Sequence, residues 1–468
     1  PAMHQTLLIP TLLLTSGLCA QAPAPIGPPP ADDVYANRLE VKLAEGTGAT
    51  LVDGRLRSRT GANLNSVAAL FRAAQAERLI AGTDLATLDR WHTEANRNAR
   101  PGETIGHLGL WFRLTTDDAD DAKTLLTALR RNALVEEAYL EPIPHLPAAP
   151  FNGGDIAPPT PLYTSRQDYM DPAPNGVDSG RAHVIVGGRG RDVQITDMEV
   201  YWNRPHEDLC KLNDPNVWAG RPSTGSGDHG TAVVGEMVGD RNGYGIRGIS
   251  DMAGLKISSW NDGGVANAIA NGQRVSSRGD IVLLEVHYRT SQGFVPAEAY
   301  TSNYNVIRTA TSRGIHITEA AGNGNVNLDT LAINGQPAGF LDPQSSNFRD
   351  SGAIMCGATE GIQRVAANFS NYGRRITANG WGRNVVTAGY GNLFGSGDTR
   401  QEYSRSFSGT SSASPIVTGV VADLVAAVRY QDERELTIQD VRTLLRQNGT
   451  TMTSGKNISV RPDLKKLL

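Results

Sequence analysis

The sequence predicts an α/β protein: a parallel sheet flanked by helices, preceded by a smaller α+β domain. Three observations carry this reading. Short runs at 193–196, 255–258, 281–286, 315–318, 353–355 and 385–387 are apolar on both faces, as strands of a buried parallel sheet are. Helical patterns at 231–238, 297–312, 410–430 and 437–447 alternate with them. Before residue 142 the pattern is different, with strands that alternate in twos and helical stretches between them.

The chain has 468 residues, room for two or three domains, with 39% apolar and 20% charged residues, the balance of an ordinary globular protein. A formal net charge of only -4 speaks against a nucleic-acid partner or a basic membrane-surface protein. Three cysteines, Cys19, Cys210 and Cys356, make neither a disulfide framework nor a zinc-type pair. Cys210 and Cys356 read either as a bridge or as free thiols, and free thiols are the commoner case.

Residues 1–20 read as a secretory signal, with Leu7, Leu8, Ile9, Leu12, Leu13 and Leu14 as its apolar centre and a small-residue cut after Ala20. The segment is too short to span a bilayer, so no membrane partner is expected. A Pro- and Ala-rich linker covers 21–33. Residues 34–145 form the small α+β domain. Leu39, Val41 and Leu43 alternate as a strand, as do Leu108, Leu110, Phe112 and Leu114, and 135–140 supplies a third. Val67, Leu70, Phe71 and Ala74 have helical spacing, and so do Ala122, Leu125, Leu126 and Leu129, after an acidic first turn at 117–121. A break rich in Pro, Ala and Gly at 146–174 separates this domain from the α/β part, 175–468.

The chemistry gathers in four short strings. Ser408-Gly409-Thr410-Ser411-Ser412-Ala413-Ser414-Pro415 precedes an apolar helical run, so small residues turn the chain sharply into a helix and leave Ser411 at its positive end. A nucleophile there has its own backbone N–H beside it for an oxyanion. Taken alone, the string equally describes a Ser/Thr-capped helix. Asp228-His229-Gly230-Thr231 puts an imidazole at another helix start, a natural general base for a hydroxyl at neutral pH. Asp197 ends the apolar run 193–196, at the edge of the sheet where a carboxylate can orient an imidazole; by itself it also reads as a turn residue. Asn323, in Ala321-Gly322-Asn323-Gly324, follows another buried strand and offers a side-chain amide as a second oxyanion donor.

Together these strings resemble the subtilisin-like serine proteases, the subtilases. The family pattern His-Gly-Thr-x-Val-x-Gly matches His229 to Gly235, and Gly-Thr-Ser-x-Ala-x-Pro matches Gly409 to Pro415. The resemblance implies a parallel seven-stranded sheet flanked by helices, and endopeptidase action on proteins or peptides with no catalytic cofactor. Asp197, His229 and Ser411 would be its triad and Asn323 its oxyanion donor. It also implies that 34–145 is a ferredoxin-like inhibitory propeptide, an intramolecular partner whose tail lies in the substrate cleft until self-cleavage within 146–174. The whole would be a secreted zymogen. A structural calcium is implied at Asp208 and Asn242, residues that read equally as ordinary turns.

Two departures stand out. The family places a small residue and then Gly after its Asp, whereas Met198 and Glu199 follow Asp197, so the local turn must differ. Asp228 is set aside as the triad acid, because contiguous residues at a helix start cannot easily meet side chain to side chain. In the substrate-lining segment, Glu285-Val286-His287-Tyr288 stands where many relatives carry small residues. Val286, His287, Tyr288 and Gly322 are the expected substrate-binding residues. Glu285 and Glu319 would favour a basic residue before the cut, unless both are paired or face away. The alternative to an enzyme is a secreted binding protein that keeps this fold without turnover.

Overall fold

The computed structural model describes residues 34–142, 144–145, 159–333, 335–453 and 455–468. The expected signal, the first linker and residues 146–158 of the second lie outside the described residues.

In the N-terminal domain four antiparallel strands run in the order Gln75–Arg78, Trp111–Thr115, Val34–Leu43, Val135–Pro142. The period of two in the first strand sends Leu39, Val41 and Leu43 to one face, where helices Asn65–Phe71 and Ala119–Arg130 cover them with Val67, Phe71, Ala122, Leu125 and Leu129. Asp118 caps the second helix by accepting from the N–H groups of Asp120 and Asp121. The other face carries Glu40, Lys42, Arg113 and Glu141, all buried.

The C-terminal domain is built on six parallel strands in the order Ala378–Trp381, Ile354–Thr359, His316–Ala320, Ile281–Leu284, Gln194–Glu199, Gly254–Ser259. Six strands, rather than the seven implied, make up this sheet among the described residues. Five match the apolar runs. The sixth, Ala378–Trp381, has no apolar run to announce it, and 385–387 instead joins a separate two-stranded ribbon with Tyr403–Phe407. The helix Thr410–Asp432 is apolar and long enough to cross a bilayer, but 94% of its apolar window is buried against the sheet, so its apolarity is used in the core. The segment from 159 is no linker: Tyr163 and Tyr169 are buried in the C-terminal domain. Cys356 is a buried free thiol and Cys210 an exposed one.

The two domains share one apolar cluster. Leu79, Leu88, Trp91, Trp111 and Tyr139 pack with Val265, Ile269, Val306 and Ala310, on helices Val265–Arg274 and Thr301–Ser312. Around it, Arg308 donates to both oxygens of Glu103 at 2.6 and 2.7 Å, and the Tyr139 hydroxyl accepts from Ser302 N at 3.1 Å and donates to Glu40 at 2.8 Å.

Candidate active site

Successive strands of a parallel sheet end on the same side, and here that side gathers acids. Asp197 and Glu199 end one strand, Glu285 follows its neighbour, and Glu319 lies near the end of the next. Helix Thr410–Asp432 begins beside them. Gly409, at φ +106°, makes the turn that an L side chain would strain. Pro415 then has no N–H for the Ser411 carbonyl, and the first N–H groups of the helix have no intrahelical acceptor. Ser411 is buried. Its Oγ makes no hydrogen bond of ordinary geometry, yet it is near enough to Glu285 to favour that carboxyl's charged form.

His229 is the second residue of helix Asp228–Val238, with the edge of its ring 5.5 Å, centre to centre, from Phe407. Its Nδ1 is hydrogen-bonded to Glu199 Oε1, and its Nε2 is buried with no hydrogen-bond partner. The carboxylate on the imidazole is therefore Glu199, not Asp197 as expected. Asp197 Oδ2 instead accepts from Trp202 Nε1 at 2.7 Å. The reason is the strand period: residues 197 and 199 face the same way, and the longer side chain two residues on reaches the ring while an indole takes up the nearer acid. Side-chain nitrogen and oxygen atoms of Glu199, His229 and Glu285 lie within 4.8 Å of one another. Burial opposes charge on all of them. It pushes the imidazole down to about 4 and lifts the carboxyls of Asp197, Glu199 and Glu285 well above their usual range.

Asn323 is fixed by its amide oxygen, which accepts from Thr410 N at 2.9 Å and Thr410 Oγ1 at 3.0 Å. Its NH2 is the opposite end of that amide. Gly322 N donates to the same Thr410 hydroxyl at 3.3 Å. The loop is stapled by a residue that sequence reasoning missed: the Asn371 oxygen accepts from Gly324 N and Val326 N, and its NH2 donates to the carbonyls of Ala321 and Phe294. An Asn has no apolar period to betray it, so only the fold reveals this one.

The expected substrate-binding residues divide. Val286 is fully buried in the core, and Tyr288 also points inward, its hydroxyl accepting from Asn303 Nδ2 at 2.9 Å. Val286 is therefore a core residue, whereas Tyr288 lines the cavity between the two domains. What strand His287–Thr290 offers is its main chain, paired antiparallel with Gly293–Pro296 on one side and Pro144–His145 on the other. The His287 ring stacks on Phe294 at 4.1 Å and accepts from Asn323 N. Glu319 accepts from Glu298 N, and burial raises its carboxyl, so neither it nor Glu285 supplies the negative potential proposed for a basic residue.

Residues 203–460 match the subtilase family profile, Peptidase_S8, over more than half of the chain. The chain belongs to the subtilase family. The matched span starts after Asp197 and Glu199, so the acid-bearing strand lies outside it. The chain is 24% identical over 262 residues to alkaline elastase YaB from Bacillus sp. (strain YaB), covering 54% of this chain and 60% of that protein. It is 26% identical over 239 residues to subtilisin BL of Lederbergia lenta, covering 50% of this chain and 76% of that one. Fervidolysin from Fervidobacterium pennivorans, a keratinolytic enzyme related to subtilisin, shares the fold at a TM-score of 0.51 and 13% identity, over 92% of this chain and 60% of that one.

The calcium expected in a subtilase does not fit Asp208 and Asn242 as they stand. Asp208 Oδ1 accepts from Asn242 Nδ2 and Oδ2 from Ile246 N at 2.6 Å each, and the Asn242 oxygen accepts from Tyr244 N. The two residues meet, but N–H donors occupy the carboxylate where a cation would need open oxygens.

Proposed function

We propose that this subtilase is a secreted serine endopeptidase made as an inhibited precursor, acting on proteins or peptides without a catalytic cofactor. Ser411 Oγ attacks the peptide carbonyl as His229 Nε2 takes its proton. Glu199, bonded to Nδ1, orients the ring and stabilises the imidazolium that forms. The Asn323 NH2 and the Ser411 N–H hold the oxyanion. His229 then returns the proton to the leaving amine, and water releases the acyl group by the same steps.

The observation that carries this reading is the Glu199–His229 bond with the opposite ring nitrogen unpartnered, and a serine at a helix start that meets the same cluster through Glu285. The inhibitory role of 34–145 is supported by the pairing of Pro144–His145 with His287 and Tyr288, the way an extended peptide adds to a sheet edge.

A fluorophosphonate probe tests the reading directly. Wild type should be labelled on Ser411 and Ser411→Ala should not. Ser411→Ala should also accumulate as the uncleaved precursor, while wild type should yield a new N-terminus between about residues 142 and 159, ahead of the buried Tyr163 and Tyr169. An unlabelled wild type that hydrolyses no peptide would instead favour a binding protein on this fold.

A further inference from the structure

One buried carboxyl beside the nucleophile has no role in the scheme above. Glu285 is wholly buried, its Oε1 is hydrogen-bonded to Ser414 Oγ, and its Oε2 has no hydrogen-bond partner. Ser414 Oγ is also hydrogen-bonded to the Thr410 carbonyl, at 2.7 Å, one turn back in the helix that starts at the nucleophile.

Proton counting limits the direction of these bonds. A serine hydroxyl has one proton and two acceptors in reach here. A backbone carbonyl can only accept, so a Ser414 proton given to Thr410 leaves none for Glu285. The bond to Glu285 then needs a proton from Glu285. We propose that Glu285 is a positioning residue that works as the un-ionised acid: its Oε1–H donates to Ser414 Oγ, and its other oxygen faces the Ser411 side. The inference rests on Ser411 being the nucleophile.

The surroundings agree with a neutral acid. Glu285 faces Asp197 and Glu199 from strand Gln194–Glu199, His229 and Glu236 from helix Asp228–Val238, and Cys356 from strand Ile354–Thr359. Of these, His229 alone can become a cation. A second carboxylate within 4.8 Å of Glu199 is opposed by like charge and by burial. If Glu285 does lose its proton, the new charge lies beside Ser411 and opposes the oxyanion that forms there on attack. Activity should therefore fall on the alkaline side as Glu285 ionises.

The test is the rate of fluorophosphonate labelling of Ser411 against pH, for wild type, Ser414→Ala and Glu285→Gln, each expressed as the full chain. Removing the acceptor of the Glu285 proton destabilises the neutral acid, so Ser414→Ala should move the alkaline limb to lower pH, by about tenfold in proton affinity. Glu285→Gln, which mimics the neutral acid, should keep the neutral-pH rate within about tenfold of wild type and lose that limb. A limb that moves to higher pH in Ser414→Ala would mean that Ser414 donates to a carboxylate, and would overturn the proposal. So would a Glu285→Gln profile superimposable on wild type, or one lower by more than about a hundredfold at neutral pH. Should Glu285→Gln fail to fold, the direction of the Ser414→Ala shift decides alone. A wild type that takes no label and cleaves nothing would overturn the nucleophile reading and this inference with it.

Discussion

Glu199 Oε1 is bonded to His229 Nδ1, while Asp197, two residues earlier on the same face of the same strand, is bonded to Trp202. The carboxyl that meets the imidazole thus stands two residues further along the strand than expected.

This relationship ranks two variants. Glu199→Gln should lower kcat about 10³- to 10⁴-fold, because it favours the wrong imidazole tautomer and removes the charge that stabilises the imidazolium. Asp197→Asn should cost about tenfold or less, since its partner is an indole N–H, which an amide oxygen also accepts. Steady-state hydrolysis of a peptide substrate gives both values. The reverse ranking would return the orienting role to Asp197.

Asn323→Ala should reduce kcat about 10²- to 10³-fold with KM within a few fold of wild type, the pattern for a donor used only in the transition state. Thr410→Val keeps the donor but removes one of its two anchors, and should show a smaller loss of the same kind. Equal losses in KM and kcat for Asn323→Ala would point to ground-state binding instead.

Arg375 and Glu298 form a fully buried bidentate pair, joined by Ser351. Arg375→Met leaves the Glu298 charge buried and unpaired. It should lower stability by about 3 to 5 kcal/mol in urea unfolding, and a second change, Glu298→Met, should recover part of that.

Glu40 sets a pH dependence for the interface between the domains. Burial lifts its carboxyl from 4.5 to about 7, beside Tyr139 and Ser302. Once the domains part, Glu40 is exposed and returns to its ordinary range, so the complex binds the extra proton. The stabilisation is complete below about 4.5, is lost as pH rises toward about 7, and then levels off. Affinity of the 34–145 domain for the rest of the chain, measured in trans at several pH values, should fall by on the order of a hundredfold across that window. Glu40→Gln should flatten the dependence.

Much of the site was legible because its parts sit at element boundaries. His229, Asn323 and Ser411 each stand at a helix start or just past a strand, within strings whose small residues serve the turn. The acid was not legible in the same way. Asp197 and Glu199 share a face, and which one reaches His229 depends on the placement of helix Asp228–Val238 and on Trp202, both set by tertiary packing. The sheet shows a similar division. Five strands are apolar runs, whereas Ala378–Trp381 is recruited by close packing: a Cβ at Gly380 would sit 2.5 Å from the Ala413 carbonyl, so its small size lets strand and helix touch. The helix Leu85–Arg97 did carry a signal, with Asp84 as its cap and Leu88, Trp91 and Ala95 on one face, and it went unread among the more polar residues around it.

The apolar cluster shared by the two domains has a practical consequence for following their separation. Trp91 and Trp111 on one side and Trp260 on the other are all buried in it, with the Arg313 guanidinium 4.6 Å above the Trp91 ring. Their intrinsic fluorescence is therefore a built-in gauge: as these indoles become wet, emission should shift to the red, with no dye attached and no substrate present.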